Sequence, residues 1–208
     1  MKSRWWRRNW LWLVLLIPLA AGALAASSQR YINVYLPWKT SAEIPANAQG
    51  VVDFHQRFKG VELEHERSAT LKLLEVSPVD QAGDEAAAPG GQLWLVKLQI
   101  SAKPDQVLNT CNVALLADGT QYGFDAAKRP ATDDAFAMPS MFPQCVPEEA
   151  PGPSFGIYSD EIINDGPSRP ESWEAEFSFV VPEDVTPDEF RIWWQTPEYA
   201  SFPLKLDA

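Results

Sequence analysis

The sequence predicts an all-β fold preceded by one N-terminal transmembrane helix, and three observations carry that prediction. From Gly50 onward apolar and polar residues alternate with period two, the signature of half-buried strands. Proline- and glycine-rich turns separate these runs, with 18 prolines and 11 glycines in 208 residues. Ahead of them, a basic, tryptophan-rich head leads into "WLWLVLLIPLAAGALAASS" at residues 10–28.

The head, residues 1–9, carries Lys2, Arg4, Arg7 and Arg8 and no acid. Positive charge ahead of an apolar run predicts a cytoplasmic N-terminus and an exported remainder. The run Trp10–Ala26 lies between a long signal-peptide core and a short bilayer span, so two readings stand. Ala23-Leu24-Ala25 is an acceptable cleavage triplet, loosened by Pro18 and Gly22, and cleavage near Ala25 would release a secreted domain. Trp5, Trp6 and Trp10 on one side, and Arg30, Tyr31, Tyr35 and Trp38 on the other, instead resemble the aromatic belts of a retained helix. The belts favour a single-pass transmembrane helix at 10–28. Residues 29–49 then read as a tether, with Pro37 ending any helical turn.

Residues 50–208 read as an extracytoplasmic β-sandwich. In "SWEAEFSFVVP", Trp173, Ala175, Phe177, Phe179 and Val181 share one face, and Glu174, Glu176 and Ser178 the other. In "QLWLVKLQIS", Trp94, Val96, Leu98 and Ile100 point inward. "EFRIWWQ" sets Phe190, Ile192 and Trp194 opposite Arg191 and Trp193. "ATLKLLEV" (69–76), "CNVALLADGTQYGF" (111–124) and "SFPLKL" (201–206) add strands, with Asp118-Gly119 as a tight hairpin turn. "VVDFHQRF" and "GVELEHER" form an opening pair about Lys59-Gly60. Seven to nine short strands without a long helix point to an immunoglobulin-like antiparallel sandwich, with a small closed barrel as the alternative. One long proline-rich loop, 125–172, is either a functional segment draped on the sandwich or partly disordered.

Charge narrows the partners. The whole chain carries 17 Lys+Arg against 28 Asp+Glu, and removing the head's four basic residues leaves 13 against 28. An acidic exported domain repels phosphate backbones, so no nucleic acid is expected. The two cysteines, Cys111 and Cys145, fall in the exported part, where a disulfide is the default.

The catalytic vocabulary is thin. His55 and His65 come roughly level only if their segments pair about Lys59-Gly60, and a metal site would need a carboxylate as well. Asp160, Glu161 and Asp165 lack the ligand ladder of a calcium loop. No GxSxG elbow, dinucleotide fingerprint or phosphate-binding loop is present. The expectation is a non-enzymatic domain with no metal and no cofactor. Trp193, facing outward beside Tyr199, is the candidate interface, for a protein partner or a stacked sugar.

"LWLVKLQISA", "CNVALLADGTQYGF" and "SWEAEFSFVVPEDVTPDEFRIWWQTP" together resemble the envelope-exposed immunoglobulin-like domain of unknown function found in many Gram-positive lipoproteins and membrane-anchored proteins. The whole chain is similar to single-pass membrane proteins of high-GC Gram-positive bacteria that carry such an extracytoplasmic domain. The resemblance spans roughly residues 90–206 and implies fold and location, with no catalytic residues to carry over. This chain departs from it in lacking a lipidated cysteine and in its long loop bearing Cys145. The expected function is an accessory or protein-interaction module of the cell envelope, held at the membrane by its helix. The alternatives are a cleaved secreted domain and a cell-wall or carbohydrate-binding module.

Overall fold

The computed structural model describes residues 2–30, 39–59, 64–132, 140–156 and 161–205, in two compact units, Met1–Thr40 and Ser41–Ala208. In the first unit one helix, α1 (Lys2–Arg30), takes in both the basic head and the apolar run. Its described apolar side chains are open, with Trp12, Ile17, Leu19 and Leu24 at least 70% exposed. Among the described residues no helix is long and apolar enough to cross a membrane. The expected transmembrane helix at 10–28 is therefore not carried by the structure. Its charge-free apolar core stops at Ala26, short of the roughly 20 residues a span usually takes. Tyr31, Tyr35 and Trp38 of the outer belt lie outside the described residues.

The second unit is all β. Its strands are β1 (Ala42–Pro45), β2 (Val51–Lys59), β3 (Glu64–Val79), β4 (Gln81–Ala82), β5 (Glu85–Ala87), β6 (Gly91–Ser101) and β7 (Asn112–Ala117). They continue as β8 (Thr120–Gly123), β9 (Lys128–Pro130), β10 (Ser154–Phe155), β11 (Ile162–Ile163), β12 (Ser172–Pro182), β13 (Glu189–Trp193) and β14 (Glu198–Pro203). A five-stranded sheet, β1-β14-β13-β7-β8, faces a four-stranded sheet, β12-β6-β3-β2. Two small sheets, β4-β5-β9 and β10-β11, are added to them. Among the described residues the two large sheets account for the seven to nine strands expected, and the surplus is short strands in connections.

The inward positions of the alternating runs fill the space between the sheets. Phe190 sits at its centre, with ring centroids 6.0 Å from Phe177, 6.1 Å from Phe179 and 5.9 Å from Phe202. Burial of such rings supplies the main drive for closing the sandwich. Asp118 and Gly119 both have positive φ, 49° and 77°, as a two-residue β7–β8 hairpin turn requires. In β3 the register slips between Leu73 and Glu75. Leu74 is the extra residue of a β-bulge, and it is thrown outward into solvent.

Three expectations need correction. Residues 42–45, placed in the tether, form β1, and they pair parallel with β14, so the sheet is not wholly antiparallel. Proline is tolerated there because β1 is an edge strand. Ser178, assigned to the solvent face of β12, is buried, because its hydroxyl reaches Glu85 on β5, which covers this end of the sheet. The long loop 125–172 contributes β9, β10 and β11 and is tied down at several points described below.

Candidate functional site

Cys111 and Cys145 are bonded, with Cα atoms 6.0 Å apart, and both are buried. The bridge fixes the long loop to the start of β7. Trp173 adds a second tie by donating its indole N–H to the Cys145 carbonyl at 2.9 Å.

Trp193 and Tyr199 do not form an exposed aromatic platform. Trp193 is half-buried, and Tyr199 is only 7% exposed. Tyr199 lies between β1 and β13, with the Arg191 guanidinium 4.5 Å above its ring. Arg191 is itself held by Glu189, through N–O contacts of 2.6 and 2.8 Å. Burial alone would raise the Glu189 carboxyl. Hydrogen bonds from Arg191 and Ser201, with the charge of Arg191, outweigh burial and hold it below its ordinary value. Burial pushes the Tyr199 hydroxyl up. This face is a closed polar network.

The histidines do not converge either. Phe58 stands opposite His65, and His55 opposite Ser68, so the two are out of register and on opposite faces of the hairpin. Among the described residues no group of three His, Cys, Asp or Glu could hold a metal ion. Gly60 and Asp160 lie outside the described residues; Glu161 and Asp165 are exposed.

What the fold does assemble is a cleft at the β2–β3 hairpin end. One recess of about 550 Å³ is lined by Arg57, Phe58, Lys59, Glu64, His65 and Glu66. A smaller one, about 260 Å³, shares Phe58, His65 and both glutamates and adds Arg67, Phe155 and the 105–107 segment. The Phe58 and His65 rings stack at 5.4 Å. Phe155, on β10 of the long loop, meets them edge-on at 5.7 and 4.8 Å. The long loop and the hairpin thus join in one aromatic cluster, which lines the smaller recess.

Two arginines organise the loops around it. Arg169, 1% exposed, donates to the carbonyls of Pro151, Lys103 and Gln106 at 3.3, 3.0 and 2.9 Å. Its guanidinium lies 4.7 Å over the Trp173 ring, and burial lowers its pKa against the opposing charge of Asp105. Gly152, at φ 71°, gives Arg169 room: an added Cβ would meet the Arg169 Cβ and Nη1 at 3.1 Å. Arg67, on the inward face of β3, donates to the Val107 carbonyl at 2.7 Å and to Gln56 Oε1 at 2.8 Å. Its guanidinium lies 4.6 Å over Phe58 and 5.8 Å from the Trp194 ring. The Trp194 N–H donates to the Leu108 carbonyl at 2.7 Å. Gln56 in turn donates to the Gln195 carbonyl and to Glu198 Oε2, the latter at 3.0 Å. Residues 103–108 are therefore held largely by side-chain donors from β3, from the β11–β12 connection and from the residue after β13.

A second recess, of about 620 Å³, lies beside β4 and β5 and is lined in part by Glu85, Phe124 and Ser178. Glu85 accepts from Ser178 and forms an ion pair at 3.0 Å with the buried Lys128, which lies over the Phe124 ring.

Sequence reading missed Arg67, Gln56 and Phe155. The signal for the first two was present: they occupy the inward phase of their strands, with Val52, Phe54 and Phe58 on β2 and Ala69 and Leu71 on β3. A polar pair in that phase at the same cross-strand level marks the point where the core becomes a site. Phe155 lies in a two-residue strand and had no periodicity to announce it.

The fold and cleft define a two-sheet β-sandwich with an aromatic-walled recess at one end. No protein-family model matches the chain, and no curated protein matches it. It is similar to the solved structure of a candidate lipoprotein from Staphylococcus aureus subsp. aureus NCTC 8325, at 11% identity and a TM-score of 0.33, covering 72% of this chain and 93% of that one. A likeness at that level carries no functional argument.

Proposed function

We propose that this protein is a membrane-held, non-enzymatic binding module of the cell envelope, with an immunoglobulin-type sandwich outside the membrane and its recognition site at the hairpin-end cleft. The observation that carries this reading is the cleft itself, walled by Phe58, His65 and Phe155. It is built on loops fixed by a disulfide and by buried arginines, which keeps its walls in place before a partner arrives. The strand order β14-β13-β7-β8, with β1 parallel on the β14 edge, supports the immunoglobulin-type assignment. The open apolar side chains of α1, behind a basic head, support membrane attachment with that head inside.

The test is site-specific photocrosslinking in cells of the full-length protein, with the probe placed at Lys59 on the cleft rim or at Glu183 on the β12–β13 turn. A discrete adduct in the membrane fraction from Lys59 alone is expected. Equal labelling from both positions, or none from either, would count against the cleft as a recognition site. Alkaline extraction and intact mass of the same samples report attachment: loss of residues 1–25, with recovery in the soluble fraction, would replace the anchor with a leader.

A further inference from the structure

Arg67 is a buried cation whose own fold leaves it incompletely answered. It is 5% exposed, and its two hydrogen bonds, to Val107 O and Gln56 Oε1, go to neutral acceptors. A guanidinium carries five N–H donors, so three remain beyond these bonds. Among the described residues no carboxylate forms an ion pair with it. The nearest route to one is indirect, through Gln56 to Glu198. Burial lowers its pKa to about 10, so it is charged at neutral pH, and among the described residues no anion is paired with that charge. Buried charges are as a rule paired, because unpaired ones forfeit hydration without return.

The surroundings of Arg67 restrict what could answer that charge. Arg67 lines the smaller recess together with Phe58 and Phe155. The rim carries Glu64, Glu66 and Asp105, all exposed, with Arg57 and Lys59 standing across the hairpin from the two glutamates, and the whole chain has a net charge of −11. With the rim cations already opposed by glutamates, Arg67 is left to meet the ligand, and a single carboxylate matches its guanidinium fork in geometry and charge. The aromatic walls suit a flat apolar group attached to that carboxylate.

We infer that the hairpin-end cleft binds a small monocarboxylate bearing an aromatic or similarly flat apolar group, with Arg67 receiving the carboxylate and the ring packing against the joined Phe58–Phe155 cluster. This deepens the binding-module reading and rests on it. The same chemistry is offered by a free aromatic acid and by the C-terminal residue of a peptide, and two probes separate them.

The experiment is calorimetric titration of the full-length protein in detergent micelles with phenylacetate, N-acetyl-phenylalanine, N-acetyl-phenylalanine amide and inorganic phosphate. Saturable binding of at least one of the two acids is expected. Tighter binding of N-acetyl-phenylalanine marks a peptide end, and tighter binding of phenylacetate marks a free acid. The amide should bind about tenfold more weakly or worse, since it loses a charge-assisted hydrogen bond. Arg67→Met should lose acid binding, while Lys72→Met, on the outer face of β3, keeps it. No binding of either acid, equal binding of the amide, or an Arg67→Met variant that binds normally would overturn the inference. Should Arg67→Met fail to fold, the Arg67 Nε–H resonance of the wild-type protein decides the matter. It should shift on titration with the acids and not with the amide, and an unmoved resonance overturns the inference. A Lys59 adduct that persists while both acids fail to bind defeats the carboxylate and leaves the binding module standing; failure of both defeats both.

Discussion

Arg169 and Arg67 are both buried, both stacked on an aromatic ring, and both bonded to the backbone of residues 103–108. They differ in what their remaining donors meet. Arg169 reaches three backbone carbonyls, with the charge of Asp105 supporting it. Arg67 reaches one carbonyl and one side-chain amide, and it borders open space. The contrast shows that depth of burial alone does not separate a structural guanidinium from a recognition group. Among the described residues each keeps one nitrogen without a hydrogen bond, Arg169 its buried Nε and Arg67 its Nη2, so the distinction lies in whether the guanidinium lines a recess, as that of Arg67 does.

The largest test of this contrast removes the tie common to the surrounding loops. Replacing Cys111 and Cys145 together with serine should cost about 4 kcal/mol in chemical unfolding of the full-length protein, from the entropy of the loop it closes. It should also open residues 146–168 to proteolysis. Arg169→Met comes next, with an expected loss of about 3 kcal/mol, because three carbonyls are left without that donor. Arg67→Met should cost about 1 kcal/mol or less, since removing a buried charge offsets the two lost bonds. Equal losses at the two arginines would break the comparison.

Gly152→Ala should destabilise by about 1–2 kcal/mol, through positive φ and crowding of Arg169. That loss should shrink in an Arg169→Met background if the crowding is real. The smallest effect is electrostatic. Glu189 has a depressed pKa in the folded state, so its contribution is present above the ordinary value of 4.5 and is lost as pH falls through the folded value. Stability measured at neutral and at acid pH should therefore converge in Glu189→Gln relative to wild type, over a range under about 1 kcal/mol for a pair that solvent still reaches.

The large sheets were legible in the sequence because their strands obey one rule for many residues. β6, β12 and β13 alternate cleanly, and Asp118-Gly119 announces its own turn. The failures are local and physical. β1 is four residues containing a proline, stabilised by β14 rather than by any pattern of its own. Leu74 breaks the phase of β3, so "ATLKLLEV" reads ambiguously until the bulge is seen. Ser178 and Tyr199 obey the alternation and are still buried, because Glu85 on β5 and Arg191 on β13 cover them from outside the strand. The cleft was half legible: the inward phase holds Gln56 and Arg67, but only the β2–β3 register sets them side by side, and only the folded long loop brings Phe155 to them.

The parallel pairing of β1 with β14 also has a mechanical meaning. Ser41 and Ala42 N–H both donate to the Pro197 carbonyl, at 2.9 and 3.0 Å, and Ala46 N–H donates to the Ser201 carbonyl at 2.9 Å. Because the two strands run in the same direction, tension drawn from the start of β1 to the end of β14 slides them past each other. The bonds then carry the load together instead of opening one at a time. A domain tethered by its first strand and pulled through its last would resist force at this short seam first.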